Sequence, residues 1–260
     1  NGAGKTTTIR LCLGLISKTS GSIAIAGMDS HEDSVRIRKR VGYVPGDFGL
    51  IPNTRVRKYL EYLLSLKKCE SRDRMKDLAA RFDLDLKTKT SELSRGNKQK
   101  VGVVQAFMAD QDIIILDEPT TGLDPLMQQE FYRLLKEEKK NGKTIFMSSH
   151  ILAEAEAVCD RVAIIKEGRL KVVEEIESLK NKTGKVLTVE FRTPAAIEEF
   201  NLPGVSDIQV DDNILTLTVH ENLDSVIKAV AAHNISNMNL KTYSLEQLFL
   251  RYYVESGGRC

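Results

Sequence analysis

The apolar positions of this chain change period several times, and each change marks an element. Val56, Tyr59, Leu60, Leu63 and Leu64 recur at i, i+3, i+4, i+7 and i+8, and Met75, Leu78, Ala79 and Phe82 repeat the spacing. Both segments read as amphipathic helices whose stripes face a core. Ile113–Leu116 is instead a short continuous apolar run bounded by charge, the mark of a strand buried on both faces. Thr144–Met147 and Arg161–Ile165 read the same way, and Val41–Val44 is a strand stopped by Pro45-Gly46. Ser22–Ala26 alternates up to Gly27 as a short strand, and a helix is expected over Thr6–Ile16. Strands alternating with helices predict a parallel, doubly wound α/β sheet. A helical subdomain is expected over about residues 50–110.

The pattern changes after Gly168. Lys171–Lys182 is charged and is expected to be a connecting helix within a linker over 169–183. Beyond it the order is strand Val186–Phe191, helix Ala195–Phe200, strand Val205–Val210, strand Ile214–Val219, helix Leu223–His233 and strand Ile235–Lys241. This β-α-β-β-α-β order predicts a small α+β, ferredoxin-like domain over 184–256, following a first domain over 1–168. A last helix, Ser244–Val254, is expected to start from a Ser244 N-cap with Gln247 three residues on, and residues 257–260 read as a frayed tail.

Composition narrows the class. The 260 residues suffice for one large domain or two smaller ones. Lys plus Arg number 38 against 36 Asp plus Glu, a net charge of +2, so there is no electrostatic footprint for nucleic acid. Cys12, Cys69, Cys159 and Cys260 are far apart and form no metal-ligand spacing, which reads as four reduced thiols. No apolar run approaches the ~20 residues that span a bilayer, so a membrane role would be peripheral. The first residue, Asn1, falls inside a motif, and the chain is expected to be truncated at its N-terminus.

That motif is Asn-Gly-Ala-Gly-Lys-Thr-Thr-Thr at 1–8. Gly4, Lys5 and Thr6 fill the last three fixed positions of a G-x-x-x-x-G-K-[ST] phosphate loop. Glycines let backbone N–H groups turn inward around phosphate oxygens, and the helix N-terminus that follows adds positive potential. Asn1, Gly2, Ala3, Gly4, Lys5, Thr6 and Thr7 are therefore candidate nucleotide-binding residues. Lys5 is placed for the β- and γ-phosphates and the Thr6 hydroxyl for Mg²⁺. A chance match to Gly-x-Gly-Lys-Thr occurs at on the order of one position in tens of thousands. Downstream, the apolar run Ile113–Leu116 ends in Asp117-Glu118. Asp117 suits a strand-end carboxylate near Mg²⁺, and Glu118 suits a base for an attacking water.

With these segments in hand, residues 1 to about 168 resemble the nucleotide-binding subunits of ABC transporters. Leu93-Ser94-Arg95-Gly96-Asn97-Lys98-Gln99 is similar to the signature motif, Thr121-Gly122-Leu123-Asp124 to the D-loop, and Ser148-Ser149-His150 to the switch-histidine segment. The resemblance implies ATP and Mg²⁺ as ligands and two ATPase subunits, homo- or heterodimeric, sandwiching two nucleotides head to tail. Ser94 and Gly96 would then meet the partner's nucleotide, His150 would sense the γ-phosphate, and Asp124 would belong to the D-loop.

Two positions depart from the family pattern. Where a Gln usually follows the Tyr-x-Pro strand, this chain has Gly46-Asp47; Asp47 either supplies the missing oxygen or is a surface turn acid. The signature carries Arg95 and Asn97 where Gly and Gln are common. The Pro-Gly-Asp loop, the Ser-Arg-Gly-Asn-Lys-Gln-Lys segment and Ser244–Tyr253 further resemble the subset serving ABC-2-type exporters. That implies separate polytopic membrane subunits and a peripheral place on the cytoplasmic face of the membrane. It leaves open whether the C-terminal domain serves dimer contact or regulation, and Phe249, Tyr252 and Tyr253 read as core packing. The competing reading is a soluble ABC ATPase acting on a macromolecular complex; that class usually carries tandem ATPase units, coiled coils or basic arms, and none is visible. No guanine-reading Asn-Lys-x-Asp is present, since Asn97-Lys98-Gln99-Lys100 ends in Lys.

Overall fold

A computed structural model describes residues 2–47, 49–69, 71–193 and 197–242. The described residues divide into two units. One holds those up to His150 together with Ile165–Leu170, and the other holds Ile151–Ile164 and those from Lys171 onward.

The first unit is built on a parallel sheet of β3 (Val41–Val44), β4 (Ile113–Asp117) and β5 (Thr144–Ser148), with β4 in the middle. Side chains alternate between its faces. Val41, Ile113 and Ile115 pack against Ile9 and Leu13 of α1 (Lys5–Cys12) and its exit turn, and Ile37 of α2 (Ser34–Arg40). Gly42 and Ile114 turn the other way, toward α5 (Arg95–Phe107). Both faces are covered, which is why β4 reads as an unbroken apolar run.

Around this sheet lie α3 (Val56–Leu66), α4 (Asp73–Arg81) and α6 (Pro125–Lys140). Tyr59, Leu60, Leu64, Met75, Leu78 and Phe82 are buried, so the stripes do face a core. Phe107 meets Phe131 of α6 edge-on at 6.4 Å. Two ion-pair groups tie α4 to α6: Arg74 to Glu138 at 2.5 Å, and Arg81 to Glu130 and Glu137. Glu138 is only 3% exposed, and Lys143 neutralises it from the other side at 2.5 Å. A buried carboxylate held by two cations in this way locks its neighbours, because removing either cation leaves charge stranded.

Several boundaries differ from the sequence expectations. The first helix ends at Cys12 rather than Ile16, since Leu13 and Gly14 turn the chain away. The strand expected over Ser22–Ala26 shrinks to β1 (Ala24–Ile25), paired antiparallel with β2 (Met28–Asp29) through a turn with positive φ at Ala26 and Gly27. The helix expected over Lys171–Lys182 is split. Its first part is β7 (Arg169–Glu175), paired with β6 (Arg161–Lys166), and only Ile176–Thr183 is helical, as α8. The turn Glu167-Gly168 has positive φ at both residues, the geometry of a tight hairpin, and that closure enforces the strand.

In the second unit, α7 (Leu152–Val158) and α8 share a small core of Ile176, Leu179, Leu152 and Ala155. A fully antiparallel sheet follows, in the order β11-β8-β10-β9, formed by β8 (Lys185–Phe191), β9 (Val205–Asp211), β10 (Ile214–Val219) and β11 (Ile235–Thr242). Leu187, Val189 and Phe191 alternate inward and pack with Phe200, Val226 and Val230, the last two from α9 (Leu223–Ala231). The helix expected over Ala195–Phe200 is a 3-10 turn over Ile197–Phe200, with residues 194–196 outside the described set. The expected helix Ser244–Val254, Cys260 and the tail also lie outside the described residues. Among the described residues, Cys12, Cys69 and Cys159 are not joined in a disulfide. No helix among the described residues is long and apolar enough to cross a membrane.

One contact is invisible to hydrophobic patterning. A Cβ on Gly42 would sit 1.9 Å from the Ala106 carbonyl oxygen and 2.8 Å from Ile114 Cδ1. Strand β3 and helix α5 therefore meet backbone to backbone. Gly42→Ala should destabilise the protein by about 1–3 kcal/mol, read as a lower urea midpoint. A midpoint equal to that of the wild type would show that α5 can move off β3 freely.

Candidate functional site

The loop before α1 is shaped by Gly2 at φ 75° and Gly4 at φ 101°, a region closed to most side chains. The Gly4 carbonyl accepts hydrogen bonds from both the amide and the hydroxyl of Thr8, each at 2.9 Å. The Ala3 carbonyl accepts the amide of Gly168 at 3.0 Å. With carbonyls engaged behind it, the loop is free to present N–H groups forward. The first turn of α1 carries no acidic residue, so nothing there competes with an anion.

The ends of β4 and β5 supply the opposing chemistry. Their register sets Asp117 beside Ser148. The Ser148 hydroxyl donates to Asp117 Oδ1 at 2.5 Å. The Glu118 amide donates to the Ser148 carbonyl at 3.1 Å and lies 3.2 Å from its hydroxyl oxygen. Glu118 is thereby held at φ 51°, a left-handed conformation costing on the order of 1 kcal/mol or more for a residue of this kind. Its carboxylate is shared: Oε1 lies 3.7 Å from Lys5 Nζ, and Oε2 is hydrogen-bonded to His150 Nδ1. The loop after it is fixed by Gln99, a buried side chain whose amide donates to the Pro119 carbonyl at 2.7 Å.

Asp117 is fully buried, and its Oδ2 has no hydrogen-bond partner among the described residues. A Cβ on Gly46 would stand 3.1 Å from that oxygen, so Gly46 leaves it room. Burial, and then the negative charge of Asp117, push the neighbouring Tyr43 phenol above its usual pKa. An orphaned carboxylate oxygen in a cavity that Thr6 also lines suits a hard divalent cation.

Gly2, Ala3, Gly4, Lys5, Thr6, Thr7, Asp47, Asp117, Glu118 and His150 all line one cavity of about 450 Å³. Arg10, Gly46, Arg95 and Thr121 line it too, and sequence reasoning assigned them no place there. Arg10 could have been found, because it lies four residues after Thr6 on the same helix face. The remaining candidates lie elsewhere. Ser94 is the N-cap of α5, accepting from the Asn97 amide at 3.2 Å, and Asp124 is the N-cap of α6, accepting from Leu126 and Met127. Gly96 lies against the Gly122 carbonyl, 2.7 Å from where its Cβ would be. None of these three lines the cavity. Asn1 lies outside the described residues.

Comparison with known proteins gives the arrangement a family. The ABC transporter family profile matches residues 1–121. An uncharacterized ABC transporter ATP-binding protein of Alkalihalophilus pseudofirmus is 32% identical over 265 residues, covering 99% of this chain and 97% of that protein. YhaQ of Bacillus subtilis, also an uncharacterized ABC transporter ATP-binding protein, is 37% identical over 190 residues, covering 71% of this chain and 63% of YhaQ. This chain thus matches just under two thirds of that relative's length. A solved ATP-binding subunit of an ABC transporter superposes with a TM-score of 0.65 at 31% identity, over 70% of this chain and 78% of the other. Similarity that runs nearly end to end along one relative, and reappears in the fold of another, makes this chain a member of the ATP-binding proteins of ABC transporters.

Proposed function

We propose that this protein is the ATP-hydrolysing subunit of an exporter, working as one half of a dimer beneath separate ABC-2-type membrane subunits. The observation that carries the chemistry is the gathering of Lys5, Thr6, Asp117, Glu118 and His150 around one cavity. The exporter assignment draws on the signature segment Ser94–Lys100 and the Pro45-Gly46-Asp47 loop. Residues 1–168 form the ATPase domain in this reading, and 184–256 an accessory domain serving dimer contact or regulation. The protein works at the cytoplasmic face of the membrane.

In the site, Lys5 and the N–H groups of the loop bind the β- and γ-phosphates. Asp117 Oδ2 and the Thr6 hydroxyl would hold Mg²⁺, which would supply positive charge to the phosphates. Glu118 is paired with both Lys5 and His150. Phosphate draws Lys5 away, and the freed carboxylate then accepts a proton from the attacking water. His150 keeps Glu118 oriented and reports loss of the γ-phosphate. Ser94, Gly96 and Asp124 lie outside this chain's own cavity and act on the partner's nucleotide across the dimer. Release of the γ-phosphate removes those contacts and opens the pair.

Glu118→Gln should lower ATP turnover about 100-fold or more while leaving the protein an ATP-bound dimer on size exclusion. Unchanged turnover would remove Glu118 from the chemistry. Asp47→Ala should raise the Mg²⁺ concentration needed for half-maximal turnover several-fold; an identical Mg²⁺ curve would make Asp47 an ordinary turn acid. Purified from membranes in mild detergent, the protein should bring down a polytopic membrane partner. Recovery of a ribosomal or DNA complex instead would favour a non-transport ATPase.

A further inference from the structure

Arg95 opens α5 immediately after the Ser94 cap. A cation there sits at the positive end of the helix dipole, the unfavourable end for it. The first turn of α5 offers no acidic residue in compensation. Among the described residues no hydrogen bond or ion pair engages its guanidinium. Every other part of this arginine is well provided for. Its stem lies along Gly122, where a Cβ would come within 3.4 Å of Arg95 Cγ and 3.7 Å of Cδ. Gly122 adopts φ 87°, so a side chain is disfavoured there on backbone grounds as well. Packing holds the stem, and Arg95 is among the residues that line the cavity together with Lys5 and Thr6.

We propose that Arg95 binds the terminal phosphate of the ATP held in its own chain's cavity. The assignment rests on the ATP-binding reading of that cavity. Charge supports it. The other basic side chains lining the cavity are Lys5, Arg10 and His150, and Glu118 engages Lys5 and His150. A planar guanidinium offers paired donors suited to phosphate oxygens. Ser94 and Gly96, the residues on either side, do not line this cavity and are assigned to the partner's nucleotide. One turn of α5 therefore touches both nucleotides of the dimer, one through Arg95 and the other through its neighbours.

The test is nucleotide titration at protein concentrations where the chain sediments as a monomer, so that no partner signature helix can contribute. Wild type, Arg95→Ala, Arg95→Lys and Lys5→Ala are titrated with ATP and with ADP. Arg95→Ala should weaken ATP binding about tenfold and change ADP binding less than twofold. Arg95→Lys should fall between, keeping charge but losing the paired donors; it also serves if the alanine variant folds poorly. Equal ATP affinity in wild type and Arg95→Ala, with Lys5→Ala still losing nucleotide, would overturn the role of Arg95 and leave the ATP reading standing. Equal weakening for ATP and ADP would overturn the contact to the terminal phosphate. Wild type that binds neither nucleotide, or Lys5→Ala that binds both normally, would instead overturn the reading of the cavity itself.

Discussion

Asp117 carries a buried carboxylate at the end of the middle strand of the parallel sheet, and the cost of that charge organises what surrounds it. Taking an ionised carboxylate out of water costs several kcal/mol unless something answers it. One oxygen is answered by the Ser148 hydroxyl, and this requires β5 to run parallel to β4 with Ser148 level with Asp117. The same register places Ser148 to receive the Glu118 amide, which turns that residue into its unusual backbone conformation. The other oxygen remains without a partner. The sheet thus holds a polar group whose desolvation is only half compensated, and a cation with its phosphates would complete it. Stability and ligand affinity are linked here: a ligand that answers this oxygen also stabilises the fold.

A second constraint acts through glycine. Gly42 and Gly96 each mark a place where a neighbouring carbonyl approaches too closely for a side chain, and Gly46 sits tight against Asp117. Gly42 admits α5 to the sheet, Gly46 gives room to Asp117, and Gly96 meets Gly122 backbone to backbone. The helix that opens with the signature segment is therefore seated at both ends. Ion pairs from Arg74 and Arg81 to α6 add support from the outer side.

Much of this was legible in the sequence, for identifiable reasons. β4 could be read because burial on both faces leaves an unbroken apolar run. α3 and α4 could be read because one face of each is buried and the period survives. Lys5, Thr6, Asp117, Glu118 and His150 could be singled out because strand ends and helix starts constrain residue type. β7 could not be read, because it is exposed along most of its length and no hydrophobic alternation is needed there. α6 announces itself by Asp124-Pro125, a cap followed by proline at the first turn, but the D-loop resemblance drew attention to Asp124 alone. Gly42 and Arg95 eluded sequence reading for a different reason. Their placement depends on tertiary approach, which leaves no periodic trace.

The contact of Gly42 with Ala106 also has a mechanical meaning. Ala106 stands near the end of α5, and Ser94 stands at its beginning, about 18 Å away at 1.5 Å per residue. The glycine contact is a fulcrum, and the helix is a long arm. A tilt of about 10° at the fulcrum carries the far end through about 3 Å at that length, roughly the length of a hydrogen bond. β3, which bears the fulcrum, runs directly into Pro45-Gly46-Asp47. A displacement of that loop that tilted α5 about this contact would be magnified at the opposite end of the helix.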